Sequence, residues 1–314
     1  MDTLYIVMPA YNEEANILSV IDSWYGVLEG KSPESRLVVA DSGSVDATHN
    51  ILVKYRQNHP QLEILEKTEK QHGPKVIALY DYAIKQGADY VFQTDSDGQT
   101  NPKEFAAFWD MRREYDGIFG NRTERGDGKS RAFVEKVVCF LLKIYFKVKV
   151  PDANAPFRLM KTKVVAKYLY KLDKNYNLPN IMMTTYFKYY DENMTFKEIS
   201  FKPRKAGKNS INIPKIFKIG WKALGDFRRL KKDMKKDKSF FLKNKPDNCL
   251  IIYSIIRFII YQVFLYLRLV ILSAPFNLTN IAIPTVNTKY RFRLKITLVH
   301  LISHRQLFVF IPLV

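Results

Sequence analysis

Three short apolar runs, Leu4-Tyr5-Ile6-Val7-Met8, Leu37-Val38-Val39-Ala40 and Tyr90-Val91-Phe92-Gln93, each end in a polar turn and alternate with helix-like segments. Runs of this length, bounded by Pro, Gly and Asp, read as buried strands. After the first, Pro9 breaks the run, and Ala10-Tyr11-Asn12-Glu13-Glu14 leads to Ile17, Val20, Ile21 and Trp24 at helical spacing. The second runs into Asp41-Ser42-Gly43-Ser44-Val45-Asp46-Ala47-Thr48, which also opens a helix. Gln71-His72-Gly73-Pro74-Lys75 precedes a helical run from Val76 to Lys85, and the third strand follows. This order predicts an α/β fold with a mostly parallel sheet flanked by helices. Open sheets of that kind bind ligands outside the carboxyl ends of their strands, where these turns fall.

The third strand delivers Thr94-Asp95-Ser96-Asp97-Gly98-Gln99 to that edge. If the segment stays extended, Asp95, Asp97 and Gln99 point one way and Ser96 and Gly98 the other. Oxygen donors gathered on one side suit Mg²⁺ or Mn²⁺, ions commonly held by one or two carboxylates and completed by substrate phosphates. The implied ligand is a nucleoside diphosphate. The loops after the first two strands offer backbone N–H groups and a carboxylate, which suits a base or ribose beside phosphates.

Charge divides the chain. Residues 1–120 carry 11 Lys and Arg against 19 Asp and Glu, and the remainder 39 against 12. An acidic half joined to a basic one suits a donor with its cation on one side and an anionic acceptor or membrane on the other. Nucleic acid is the rival explanation, and the basic half has no recognisable nucleic-acid module. Cys139 and Cys249 are too few for a disulfide framework and lack metal-ligand spacing, which fits a reducing compartment. The chain starts without a basic segment followed by an apolar one, which argues against a cleaved signal peptide and for a catalytic part facing the cytosol.

Further motifs follow in order: Gly120-Asn121-Arg122, Asp152 to Leu159 (DANAPFRL), and Arg204-Lys205-Ala206-Gly207-Lys208-Asn209-Ser210. With Met8 to Glu14, Asp41 to Ser44 and Asp95 to Gln99, they give a sequence that resembles the family 2 glycosyltransferases of GT-A fold, and within them the polyprenyl-phosphate sugar transferases. The resemblance covers about residues 3 to 225. It implies that Pro9, Tyr11 and Glu13 line the nucleotide pocket, that Asp41 contacts the base or ribose, and that Lys75 lies near the donor diphosphate. It also implies that Asp97 and Gln99 ligate the metal directly, with Asp95 nearer the ribose and the metal's water shell. Arg122 and Arg131 match positions that hold a lipid phosphate. Where the family usually has two aspartates before Gly-Ser, the second is Ser42 here.

Arg204 and Lys208, beside Gly and Ser, are candidate lid residues over a diphosphate. Asp152 is the natural general base if the acceptor is a sugar hydroxyl; if the acceptor is a lipid phosphate, its carboxylate instead pairs with Arg158 and fixes the loop. The domain expectation is a catalytic domain over 1–225, a basic juxtamembrane linker over 226–248 and an apolar membrane-associating segment over 249–314. Within Leu250 to Ser273, Arg257 and Arg268 fall on nearly one helical face, which favours a helix lying in the interface over one that spans. A second apolar stretch, Ile296 to Val314, surrounds His300, His304 and Arg305.

The resulting expectation is metal-dependent, inverting transfer of a sugar from a UDP- or GDP-sugar to a polyprenyl phosphate at the cytoplasmic membrane face. The alternatives are transfer to a saccharide hydroxyl of a glycan and a non-catalytic sugar-nucleotide-binding scaffold. Nucleotidyl transfer on a similar fold would want a Gly-rich basic loop after the first strand, where Pro9 to Glu14 stand instead.

Overall fold

Strand β1 (Leu4–Ala10) is buried along its whole length, and its side chains feed two separate cores. Tyr5 and Val7 point into one, and Leu4, Ile6, Met8 and Ala10 into the other, the two-residue alternation of a strand covered on both faces. The computed structural model describes residues 1–123, 126, 129–204, 223 and 225–237, all within one unit, 1–243. The candidate Lys208 and the segment 249–314 lie outside the described residues.

The sheet joins β1 to β2 (Arg36–Asp41), β3 (Leu62–Leu65), β4 (Tyr90–Thr94), β5 (Gly117–Asn121), β6 (Phe157–Lys161) and β7 (Met194–Glu198) in the order β3-β2-β1-β4-β6-β5-β7. The chain builds outward from β1 to β3, then returns to place β4 on the other side of β1. That reversal makes the β1–β4 edge the switch point where such sheets bind ligands. β6 is antiparallel to both β4 and β5, and β7 is parallel to β5. The amino end of β6 therefore lies at the same edge as the carboxyl ends of β1, β2, β4, β5 and β7.

Helices α1 (Ile17–Tyr25), α2 (Thr48–Arg56) and α4 (Phe105–Asp110) contribute to the core on one face of the sheet. Helices α3 (His72–Lys85), α5 (Lys129–Phe146), α6 (Thr162–Leu169) and α7 (Pro179–Tyr189) contribute to the core on the other. α1 buries the residues expected from its spacing, Ile17, Val20, Ile21 and Trp24.

Two helix starts differ from expectation. α3 begins at His72 rather than Val76, because Gly73 and Pro74 fall in the first turn, where a missing N–H costs nothing. Gly73 is also the only side-chain size that fits: a Cβ there would lie 2.5 Å from the Tyr176 carbonyl oxygen. α5 begins at Lys129, although the polar, glycine-bearing stretch Thr123 to Arg131 reads as a loop leading into a helix from Phe133. Within the stretch expected as a basic linker, residues 226–237 are helical and bury Phe227, Leu230 and Met234, a periodicity that its crowded Lys and Arg obscured.

Trp24 is 1% exposed, with its ring centroid 5.2 Å from Phe92 and 5.9 Å from Phe157, so α1 is fastened to β4 and β6 together. Trp24→Ala should lower the free energy of unfolding by about 3–5 kcal/mol. Equilibrium urea denaturation checks this, and a loss under about 1 kcal/mol would show that the ring is not a core keystone.

Candidate active site

The loops after β1 and β2 are stitched to each other. The Asn12 N–H donates to Ser44 Oγ (3.0 Å), the Val45 N–H to Asn12 Oδ1 (2.9 Å) and the Glu13 N–H to Thr48 Oγ1 (2.8 Å). The Glu14 N–H donates to Asp46 Oδ2 (3.1 Å), and the Ala47 N–H returns to Glu14 Oε2 (3.0 Å). Asn12 (φ 54°) and Gly43 (φ 77°) take the left-handed conformation that turns each loop back across the edge. Glu14 and Asp46 thus knit the two loops together, and Asp46 Oδ1 also accepts the Thr48 N–H at 3.0 Å at the start of α2.

Asp41, at the end of β2, is 3% exposed and accepts from Ser44 Oγ at 2.5 Å, with His49 Nδ1 3.2 Å from its other oxygen. Ser42, in place of the family's second aspartate, donates to the Thr68 carbonyl at 2.5 Å. Pro9 lies within β1, and its carbonyl accepts from Ser96 Oγ at 2.8 Å, which ties the acidic loop to the first strand.

Lys75 sits in the first turn of α3, 1% exposed. Its Nζ donates to the Ala10 carbonyl at 2.5 Å and lies 5.3 Å from the Tyr11 ring centroid, a cation–π contact at the strand end. Burial brings its pKa down to about 8, against the opposing pull of Asp41.

The acidic loop departs from the extended geometry expected for it. β4 stops at Thr94, and Gly98 (φ 72°) bends the chain so that the Gln99 N–H donates to Asp97 Oδ1 at 3.1 Å. Strand alternation therefore does not place Asp95, Asp97 and Gln99. Gln99 is 3% exposed, and its Nε2 donates to the Lys202 carbonyl at 2.7 Å while the Lys202 N–H donates to the Gln99 carbonyl at 2.9 Å. The Gln99 amide thus anchors the chain after β7 to the acidic loop.

Asp95 and Asp97 remain at the switch point with Glu13. Burial, then the neighbouring Asp95 carboxylate, push the Asp97 carboxyl up to about 6, while Arg204 opposes the rise and Glu13 adds to it. Glu13 is raised by burial despite hydrogen bonds from Asn16 Nδ2 (3.0 Å) and from the Arg204 guanidinium. Carboxylates crowded in this way repel one another, and a divalent cation would relieve that repulsion. Among the described residues, no three His, Cys, Asp or Glu side chains converge as a ready-made metal cage. A donor set of one or two carboxylates fits an ion that takes its other ligands from phosphates and water.

Two residues at this edge escaped the sequence reading. His72, half-exposed at the start of α3, places Nε2 3.2 Å from Asp95 Oδ1. Burial lowers its pKa, but the Asp95 and Asp97 carboxylates more than offset that, so the net shift is upward. Gln93, fully buried in β4, donates from Nε2 to the same Asp95 oxygen (3.1 Å) and accepts from Asn180 Nδ2 (3.1 Å). A polar residue inside an otherwise apolar strand was the available signal for Gln93; for His72 it was a histidine between two strand-end motifs.

Arg122 and Asp152 meet because β5 and β6 are antiparallel neighbours. Arg122 Nε donates to Asp152 Oδ2 at 2.7 Å and Nη2 to Oδ1 at 2.9 Å, a bidentate pair with both side chains buried. Glu135 on α5 lies 3.5 Å from Arg122 Nη2, and its Oε1 accepts the Ala153 N–H at 2.8 Å. The pairing of Asp152 with Arg158 expected from sequence is not formed. Arg158 is buried on the other side of the loop, donating to the Ala155 and Asn180 carbonyls at 2.6 and 2.8 Å, because the start of α7 supplies acceptors there. Arg131 lies in the first turn of α5, half-buried.

A family model described as glycosyl transferase family 2 matches residues 5–169, just over half of the sequence. The chain belongs to glycosyltransferase family 2. An uncharacterized glycosyltransferase of Synechocystis sp. is 28% identical over 169 residues, which are 52% of this chain and 51% of that protein. A dolichyl-phosphate beta-glucosyltransferase of Dictyostelium discoideum is 24% identical over 178 residues, 51% of this chain and 54% of the relative. This family 2 chain thus spans about half the length of these curated relatives. Glucosyl-3-phosphoglycerate synthase from Mycobacterium tuberculosis, solved with Mn²⁺ and UDP-glucose, aligns with TM-score 0.52 at 17% identity over 71% of this chain and 77% of its own. That likeness establishes the GT-A-like fold: a mostly parallel seven-stranded sheet flanked by helices.

The lysine at the edge gives the site a pH signature. With its folded pKa near 8 and its unfolded value near the ordinary 10.5, Lys75 binds more protons unfolded between those limits, so its contribution makes stability rise with pH through that window. The difference in urea midpoint between the native protein and Lys75→Met should change in the native protein's favour from pH 8 towards pH 10.5. A constant difference would show that the amine is solvated rather than buried.

Proposed function

We propose that this family 2 glycosyltransferase transfers a sugar from a nucleoside-diphosphate sugar, UDP- or GDP-linked, to a polyprenyl phosphate at a membrane's cytoplasmic face. The observation that carries the donor half is the crowding of Glu13, Asp95 and Asp97 at the switch point, with Asp97 raised by burial and by Asp95. Asp95 and Asp97 are the residues that would hold a divalent ion, Mg²⁺ or Mn²⁺, with Gln99 at the loop's end. Such an ion, when bound, neutralises charge on a departing diphosphate. Pro9, Tyr11, Glu13 and Asp41 would line the nucleotide side, Lys75 braces the Tyr11 loop, and Arg204, paired with Glu13, would act with Lys208 as the lid over the donor. The neighbour solved with Mn²⁺ and UDP-glucose supports the donor class, and the dolichyl-phosphate relative supports the acceptor class.

The acceptor half rests on Asp152. A sugar hydroxyl has to lose its proton as it attacks, and Asp152 is the candidate to take it. Here that carboxylate is bound through both oxygens to Arg122, which commits it to holding the loop. A phosphate acceptor is already anionic and needs only to be placed in line with the sugar carbon. Arg131 at the start of α5 is, with Arg122, the candidate to receive the phosphate. Inversion follows the family's usual course. A boundary near 248 and an apolar membrane-associating segment over 249–314 complete the proposal, with the helix over 226–237 belonging to the catalytic unit. Among the described residues, no helix is long and apolar enough to cross a membrane.

Asp97→Asn should reduce transfer to radiolabelled polyprenyl phosphate by on the order of a hundredfold or more. It should also abolish the part of the UDP-sugar thermal shift that depends on Mn²⁺. Unchanged transfer in that variant at saturating Mn²⁺ would remove the metal role. Asp152→Asn tests the acceptor. A general base would leave the melting temperature near native while turnover collapses, whereas loss of a buried pair's partner should destabilise the fold by about 3–5 kcal/mol. Transfer to free glycans with none to lipid phosphate would favour the saccharide-hydroxyl alternative.

A further inference from the structure

Helix α5 presents an apolar stripe to solvent. Phe133, Val137, Phe140 and Ile144 are 68, 39, 60 and 48% exposed and fall at intervals of four, three and four residues, so they share one helical face. Exposed large aromatic side chains in a row on one helix mark an interaction surface. Lys136 and Lys143 are exposed along one flank of this stripe, and Lys147 is exposed just past the end of the helix. The helix has one acid, Glu135, and that carboxylate is turned inward to Arg122 and the Ala153 N–H. The outer face of α5 therefore combines apolar side chains with positive charge and carries no acid of its own.

That pairing selects the occupant. An apolar face bordered by lysines suits a bilayer interface, where the rings enter the acyl boundary and the lysine stems reach back to anionic headgroups. A protein partner would have to supply both an apolar groove and a line of acids. Continuity with the acceptor loop points the same way, because Glu135 fastens the middle of α5 to Arg122 and to the backbone after Asp152. Eighteen residues span about 27 Å, enough for a helix lying in the plane of the membrane.

We infer that α5 is a membrane-interface helix of the catalytic unit, binding anionic lipid through its Phe133–Ile144 stripe and its lysine flank. This rests on the polyprenyl-phosphate reading and deepens it. Docking there sets the acceptor edge of the sheet at headgroup level, where a lipid phosphate would enter, and does so independently of residues 249–314.

The test uses the full chain with Phe140→Trp, Phe133→Trp as a second reporter, and Leu18→Trp on α1 as a control from the opposite layer. Each is mixed with vesicles of phosphatidylcholine alone or with phosphatidylglycerol, with brominated acyl chains as quenchers. The added emission from the Phe140→Trp and Phe133→Trp variants should be blue-shifted and quenched by the brominated lipid, more on the anionic vesicles, and that from Leu18→Trp should not. Lys136→Gln with Lys143→Gln should weaken the anionic preference, by about fivefold per lysine removed. Vesicle-bound Phe140→Trp protein whose added indole is still open to aqueous acrylamide would overturn the inference. So would an added indole in that variant already shielded before any lipid is present, since another part of the chain or a second copy would then cover the face. Because the readout is local and needs no turnover, quenching in the Phe140→Trp variant without any lipid-linked product would reject the acceptor reading and leave the surface standing.

Discussion

The pairing of β6 against β4, with Thr94 opposite Phe157, is the constraint on which the site depends. Had β6 run parallel to its neighbours, the loop 152–156 would leave from the far edge of the sheet. Because it runs antiparallel, that loop enters where β4 and β5 leave, and Arg122 can close on Asp152. The same pairing buries Phe157 beside Phe92 and Trp24, so the edge that gathers the polar loops is held by the aromatic core beneath it. Register and chemistry share one set of hydrogen bonds.

The donor side is held in a different way. Strand ends position the loops coarsely, and side-chain to backbone hydrogen bonds then set them: Asn12 with Ser44, Glu13 with Thr48, Ser96 with Pro9 and Gln99 with Lys202. Such bonds satisfy backbone groups that the strands no longer pair. They leave Asp95 and Glu13 close enough to Asp97 to add to the rise that burial gives its pKa, which is unfavourable for the empty fold and favourable for one that binds a cation with a diphosphate. Tyr80, Asn180, Gln93 and Asp95 form a continuous hydrogen-bonded series from the α3 and α7 layer to the acidic loop. The conformation of Asp95 is thereby coupled to the core.

Much of the architecture was legible because buried strands announce themselves as short apolar runs and α1 as an amphipathic period. The legible part stops at particular residues. Gln99 invited a strand-period argument that Gly98 defeats, since one left-handed residue breaks the alternation. Arg158 stood close in sequence to Asp152, yet the carboxylate chose Arg122, thirty positions away along the chain, because strand neighbours are nearer than loop neighbours. Phe227, Leu230 and Met234 were hidden among Lys and Arg whose charges face outward. His72 showed only as a histidine between two strand-end motifs, and its place beside Asp95 follows from where α3 begins.

The sequence by itself determined the alternation of strands and helices, the sheet edge where chemistry gathers and the residue types available there, because these depend on local periodicity and turn chemistry. Only the tertiary structure decided which carboxylate is committed to an arginine, which amide serves as an anchor and which helix face is left bare. Those outcomes depend on the direction of β6 and on packing between segments far apart in the chain, and no local pattern encodes them.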